Sequence, residues 1–157
     1  MAATDTLAWR VKNALVNTLK GLNLLGIEDR VYPQLAPDQT NDTYPCFLIT
    51  SAGQAEDVGD GDTESRDTRF AFAVWLVDRE STRQEDREPQ WLEWRKAGID
   101  AFREDQIARF NEQVPEVWNV ELEPRPQIDE VLAGQKAYKL LVGGFIVKVT
   151  AREPRAA

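Results

Sequence analysis

The stretch Arg66 to Asp78, RDTRFAFAVWLVD, constrains the fold more than any other part of the chain. Every residue from Phe70 to Val77 is apolar. An extended chain therefore puts Phe70, Phe72, Val74 and Leu76 on one face and Ala71, Ala73, Trp75 and Val77 on the other. A strand that avoids water on both sides belongs in the middle of a sheet whose two faces are both covered, by the chain itself or by a partner. The remaining elements have to supply those covers.

At 157 residues the chain is expected to form one domain, residues 1–157, with a core that needs neither disulfides nor metals. Apolar residues at 42% and charged residues at 29% place it with globular proteins and away from disordered or fibrous ones. A net charge of -8 opposes a nucleic-acid reader, whose affinity comes from Lys and Arg displacing counterions. It does not oppose a protein that DNA slides past. Cys46 is the one cysteine, so no intrachain disulfide can form. With no histidine, a Ser/His/Asp or Cys/His arrangement cannot be built, and zinc loses its commonest nitrogen ligand. MAATDTLAWRVK lacks the basic region and apolar run of a signal peptide. No stretch approaches the roughly 18 to 20 apolar residues of a membrane-spanning helix. The expectation is a soluble protein that folds in the cytosol and uses no cofactor.

Taken in order, Leu7, Val11, Ala14, Leu15, Thr18, Leu19 and Leu22 recur at helical spacing. Thr4 or Asp5 can cap this helix and Gly21 or Gly26 can end it, while Trp9 and Val16 lie off its stripe. Ile27 to Thr43 reads as a connector. Pro45 then leads into a first strand, CFLITS, with Cys46, Leu48 and Thr50 facing one way and Phe47, Ile49 and Ser51 the other. The loop from Gly53 to Ser65 carries Glu56, Asp57, Asp60, Asp62 and Glu64. It lacks the register of a calcium-binding EF-hand, so a solvated hairpin loop is the expectation. Its carboxylates make a local negative field that would repel DNA if several copies faced a common axis.

After a charged linker, Pro89 sits well in the first turn of a second helix. Trp91, Leu92, Arg95, Ile99 and Phe102 form one arc of it, with Trp94 and Gly98 at the edge. Two tryptophans on one turn fit either core packing or a ring-stacking site. A further helical turn reaches to about Phe110. Val114 to Leu122 alternates as a strand with Pro115 near its start. A loop from Glu123 to Gln135 follows, and the last strand, Lys136 to Arg152, puts Leu141, Phe145, Val147 and Val149 on one face. Gly143 and Gly144 call for a bulge or a close backbone approach there.

The expected architecture is α+β: helix-strand-strand-helix-strand-strand, a small mixed sheet with two helices on one face. The other face would expose Ala73, Trp75 and Val77 with Phe145 and Val147 of the final strand. An exposed apolar patch of that kind marks an interface, so self-association is expected.

The leading amphipathic helix, VYPQLAP (Val31 to Pro37), TYPCFLIT ending at Thr50, the long polar loop, FAFAVWLVD, the helix rich in Trp and Phe, and the closing hairpin ending in FIVKVTARE together resemble the tail-terminator, or tail-completion, family of tailed bacteriophages. The resemblance implies an α+β subunit that forms a hexameric ring on the end of the tail tube. There it stops tube growth and joins the tail to the head-completion or neck proteins. It implies a virion tail protein assembled in the host cytoplasm, with partners in its own copies and the tube protein, no membrane, and DNA passing through without sequence-specific binding. No catalytic, cofactor or metal residues come with it. The loops Gly53 to Ser65 and Glu123 to Gln135 would contact the tube or neighbouring subunits, and Glu56, Asp57, Asp60, Asp62 and Glu64 would line the channel. Three other readings stand beside it. One is a neck or head-tail connector protein, one a hydrolase using the acids from Glu56 to Glu64, and one a monomeric binding module using Trp91, Trp94 and Trp118 as a stacking platform.

Overall fold

Residues 65–79 form one strand, β4 (Ser65–Arg79), running antiparallel beside β6 (Leu140–Pro154) in an unbroken register from Ser65 opposite Pro154 to Arg79 opposite Leu140. The structure is a computed structural model that describes residues 6–34, 44–53, 55–57, 65–79, 84–103, 107–124 and 140–154. On the other side of β4 lies β2 (Cys46–Ser51), antiparallel, and outside that β1 (Val31–Pro33), parallel to β2. β5 (Val117–Pro124) borders β6, and β3 (Glu56–Asp57) pairs with β4 beyond the end of β2. The sheet is thus mixed and six-stranded, in the order β1-β2-β4-β6-β5, and the fold is α+β as expected. Two strands exceed the expected set. VYP and ED are too short to show a period of two, and both fall in stretches that read as connector or loop.

The face of β4 that carries Phe70, Phe72, Val74 and Leu76 lies under the helices. Cross-strand partners share a face, so Ile49, Phe145, Val147 and Val149 join it. This corrects the placement of Phe145 and Val147 on the open face: both are buried in the helix-covered core. The cover comes from α1 (Leu7–Gly21), α2 (Gln84–Asp100) and a third helix, α3 (Ile107–Gln113), which brings in Phe110. α1 is capped by Thr6, whose hydroxyl accepts from the Trp9 amide at 3.4 Å, in place of Thr4 or Asp5, which lie outside the described residues. Val16 is buried, and so is Lys12, whose ammonium donates to the Gln34 carbonyl at 2.6 Å and holds α1 to the end of β1. Burial lowers the pKa of that lysine.

The buried line of α2 is Trp91, Trp94, Gly98 and then Phe102, while Leu92 of the expected arc turns outward. Gly98 sets this rotation. A Cβ there would stand 3.3 Å from the Phe47 ring and 3.4 Å from that of Phe145, so the helix approaches the sheet along its glycine edge. Pro89 lies inside α2 because the helix already begins at Gln84. Trp94 donates its indole N–H to the Leu25 carbonyl at 2.9 Å, and its ring covers Gly26, whose φ of 96° suits glycine. This contact ties the turn after α1 to α2.

The face that no described helix covers, the helix-free face, is covered in part by the chain itself. Cys46, Leu48, Val77 and Val142 are fully buried there, ringed by the half-buried Tyr32, Tyr44 and Trp75. The expectation of an open Ala73 and Val77 is corrected, since both are buried in a single copy. β1 widens the sheet and sets Tyr32 opposite Leu48, which supplies part of the missing cover. The bulge expected at Gly143 and Gly144 is absent, and the alternative holds. A Cβ on Gly144 would lie 2.7 Å from the Val74 carbonyl oxygen and 3.0 Å from the Trp75 ring. Gly144→Ala therefore forces backbone apart and should cost about 1–3 kcal/mol, read as a lower urea midpoint. Gly21→Ala, with nothing within 4 Å of the added methyl, should leave the midpoint unchanged or raise it.

Candidate functional site

The helix-free face divides into an apolar end and an ion-paired end. At the apolar end the alternation of β2 turns Cys46, Leu48 and Thr50 to this side. Trp75 lies across them in register with Leu48 and donates its indole N–H to Thr50 Oγ1 at 2.9 Å. Tyr44 precedes a cis bond to Pro45, and the Arg30 Nε donates to the Pro45 carbonyl at 3.0 Å. The aromatic rings of Tyr32, Tyr44 and Trp75 thus stand half-buried around a small closed cluster.

Burial pushes the Cys46 thiol up from 9.0 to about 12, with Arg30 lowering it and Asp78 raising it by smaller amounts. The folded state therefore keeps the neutral thiol. The stability this preference contributes is fully present below the unfolded value near 9 and is lost as pH rises toward about 12. Two outcomes are expected. Native Cys46 should resist alkylation until the protein unfolds. Unfolding free energy should also fall from about pH 9 upward by up to ~1.4 kcal/mol per pH unit more than in Cys46→Ala.

At the other end, Asp67 of β4 stands opposite Arg152 of β6. The Asp67 carboxylate is 0% exposed and accepts from Arg152 Nε at 2.9 Å and Nη2 at 3.2 Å. Trp118 adds its indole N–H to the same carboxylate at 3.3 Å. Trp118 reaches it through a bulge: Val117 pairs with Ala151 and Asn119 with Thr150, which leaves Trp118 as the extra residue on β5. Its ring is 48% exposed and, with Asp67, Pro115, Glu116 and Arg152, lines a shallow open depression. Glu116 is held in turn by a two-pronged bond from Arg10 of α1, the closest contact 2.9 Å. Further along the same face Lys148 pairs with Glu123 at 3.0 Å.

The two partners of the Asp67–Arg152 pair differ in their access to water. Arg152 is 55% exposed, so it is rehydrated when its partner is lost, whereas the Asp67 carboxylate is not. Arg152→Met strips a buried charge of its two guanidinium bonds and should cost about 3 kcal/mol, the low end for breaking a buried pair. Asp67→Asn should cost clearly less, about 1–2 kcal/mol. Chemical denaturation of the two variants checks the order.

Of the acidic-loop residues, Glu56 and Asp57 are exposed on β3, with Glu56 4.0 Å from Arg69. Asp60, Asp62 and Glu64 lie outside the described residues, as does most of the loop from Glu123 to Gln135. The stacking platform is not assembled, because Trp91 and Trp94 are core residues on the helix side while Trp118 stands on β5. Tyr32, Tyr44, Asp67 and Arg152 are the site residues that the sequence alone does not single out. The opposite signs in RDTR and TARE are visible, but only the strand register brings Asp67 and Arg152 together. Among the described residues no three or more of His, Cys, Asp and Glu are grouped to hold a metal ion. Among them, too, no helix is long and apolar enough to cross a membrane. No protein-family model matches the chain, and no curated protein matches it.

Proposed function

We propose that the protein is a structural, non-enzymatic subunit that works by assembly. Its copies form a ring, a hexamer by the family resemblance, that caps a phage tail tube, stops its growth and seats the head-completion or neck proteins. It acts in the virion tail after assembly in the host cytoplasm. The observation that carries this reading is the trio Tyr32, Tyr44 and Trp75, half-buried on the face that no described helix covers. Tyr and Trp are enriched at the cores of protein interfaces, where a large ring excludes water and loses few rotamers. The net charge of -8 suits a wall that DNA slides past without being held. Of the interface expected from the sequence, Trp75 remains partly accessible, and Ala73 and Val77 are buried beside it on the same strand.

Light scattering and electron microscopy of the purified protein, alone and with tail tubes, test the reading. Closed rings, or rings seated on tube ends, are expected. Tyr32→Asp should weaken assembly by about tenfold or more while leaving the thermal midpoint within a few degrees of wild type. A protein that stays monomeric and ignores tube ends would sink the proposal.

A further inference from the structure

We propose that the depression around Trp118 binds a neutral saccharide, with one sugar ring stacked on the exposed indole and its hydroxyls bonded to Glu116 and Arg152. The depression has a volume of about 520 Å³, within the range of small-ligand sites, and is lined by Asp67, Pro115, Glu116, Trp118 and Arg152. Trp118 stands on β5 and Tyr32 on β1, at opposite edges of the sheet, so this binding does not rest on the assembly proposed above.

The balance of charge narrows the ligand. Both carboxylates that line the depression already hold a guanidinium, Asp67 that of Arg152 and Glu116 that of Arg10, each at 2.9 Å. An anion would have to draw Arg152 away from a carboxylate that is 0% exposed, and a cation would have to displace Arg10 from its two-pronged bond to Glu116. A site balanced in this way selects for neither sign. An uncharged ligand leaves both pairs intact.

Shape and hydrogen bonding narrow it further. Trp118, the extra residue of the β5 bulge, is 48% exposed, and the bond from its indole N–H to Asp67 fixes the ring. A pyranose lays its C–H face on such a ring and keeps its hydroxyls around the rim, where acceptors and donors have to meet them. Glu116 supplies an acceptor. Arg10 places two bonds on its Oε1 and one on Oε2, so Oε2 keeps a lone pair for a hydroxyl. The Arg152 guanidinium, 55% exposed, faces the same depression as a donor. An apolar protein side chain laid on Trp118 would take these groups out of water and return no hydrogen bonds. A sugar returns them.

Calorimetric titration with maltohexaose, cellohexaose, xylohexaose and mannohexaose, beside heparin, polygalacturonate and adenosine, tests this. At least one neutral hexasaccharide should bind with a Kd of about 1 mM or tighter. By NMR, the indole N–H signal that it shifts should be the one absent from Trp118→Phe. Trp118→Phe keeps a flat ring and should keep binding, whereas Trp118→Ala, folded by circular dichroism, should lose about tenfold or more in affinity. Should Trp118→Ala not fold, the NMR shift in the wild type decides. The proposal is overturned if none of the neutral hexasaccharides binds, if only the polyanions or adenosine do, or if folded Trp118→Ala binds as tightly as the wild type.

Discussion

The fifteen-residue pairing of β4 with β6 decides where every other part of the sheet can go. Side chains alternate with a period of two, so a slip of one residue would send Phe70, Phe72, Val74 and Leu76 to the wrong face. The slip would also remove Gly144 from beneath Trp75, where only a residue without Cβ fits. At the far end it would pull Asp67 away from Arg152. Packing on one face, a steric notch in the middle and an ion pair at the end thus specify the same register. Agreement among independent constraints is what gives a sequence one structure in place of several.

The same register sorts the helix-free face. Near Arg79 and Leu140 the inward residues are Val77 and Val142, and β2 adds Cys46 and Leu48, so apolar surface accumulates. Near Ser65 and Pro154 they are Asp67 and Arg152, with Lys148 and Glu123 between. The face changes from greasy to charged along the strands without a change of element. Only the apolar end asks to be covered, and Tyr32 and Tyr44 already cover part of it.

How much of this was legible follows from the distance over which each signal acts. The central strand, the leading helix and the α+β class come from runs and periodicities within a dozen or so residues, and they are found where the pattern put them. The alternation of β6 is equally clear, yet Phe145 and Val147, expected on the open face, lie in the helix-covered core. Alternation tells which residues share a face and not which face meets the helices. Of the bulge or close approach that Gly143 and Gly144 call for, Gly144 supplies the close approach, and the bulge occurs at Trp118, in a run with no glycine. A bulge there depends on how β5 must meet β6, which no local pattern reports. β1 and β3 are too brief to carry a pattern, and the Asp67–Arg152 pair joins residues 85 apart in sequence. Of the candidate site, Trp75 is legible because a period of two sets it with Ala73 and Val77 on the face opposite Phe70, Phe72, Val74 and Leu76. Tyr32 is not, because its place depends on a parallel edge strand of three residues, and neither is Tyr44, which lies just before β2 and outside any period.

The buried carboxylate of Asp67 is a poor source of stability. Removing it from water costs several kcal/mol before its bonds return anything, and an apolar pair of the same volume often serves as well. What it does here is mechanical. One carboxylate engages two exposed side chains from adjacent strands, the Arg152 guanidinium and the Trp118 indole, and fixes both without hiding either. Ordering such a side chain at the moment of binding costs about 0.5–1.5 kcal/mol, and a surface that has ordered it during folding no longer meets that cost. The bulge on β5 adds to this, since it leaves Trp118 as an extra residue between Val117 and Asn119, beside the carboxylate that holds its indole. Two unrelated local irregularities, a charge inside the sheet and an extra residue at its edge, therefore hold the same two exposed side chains in place.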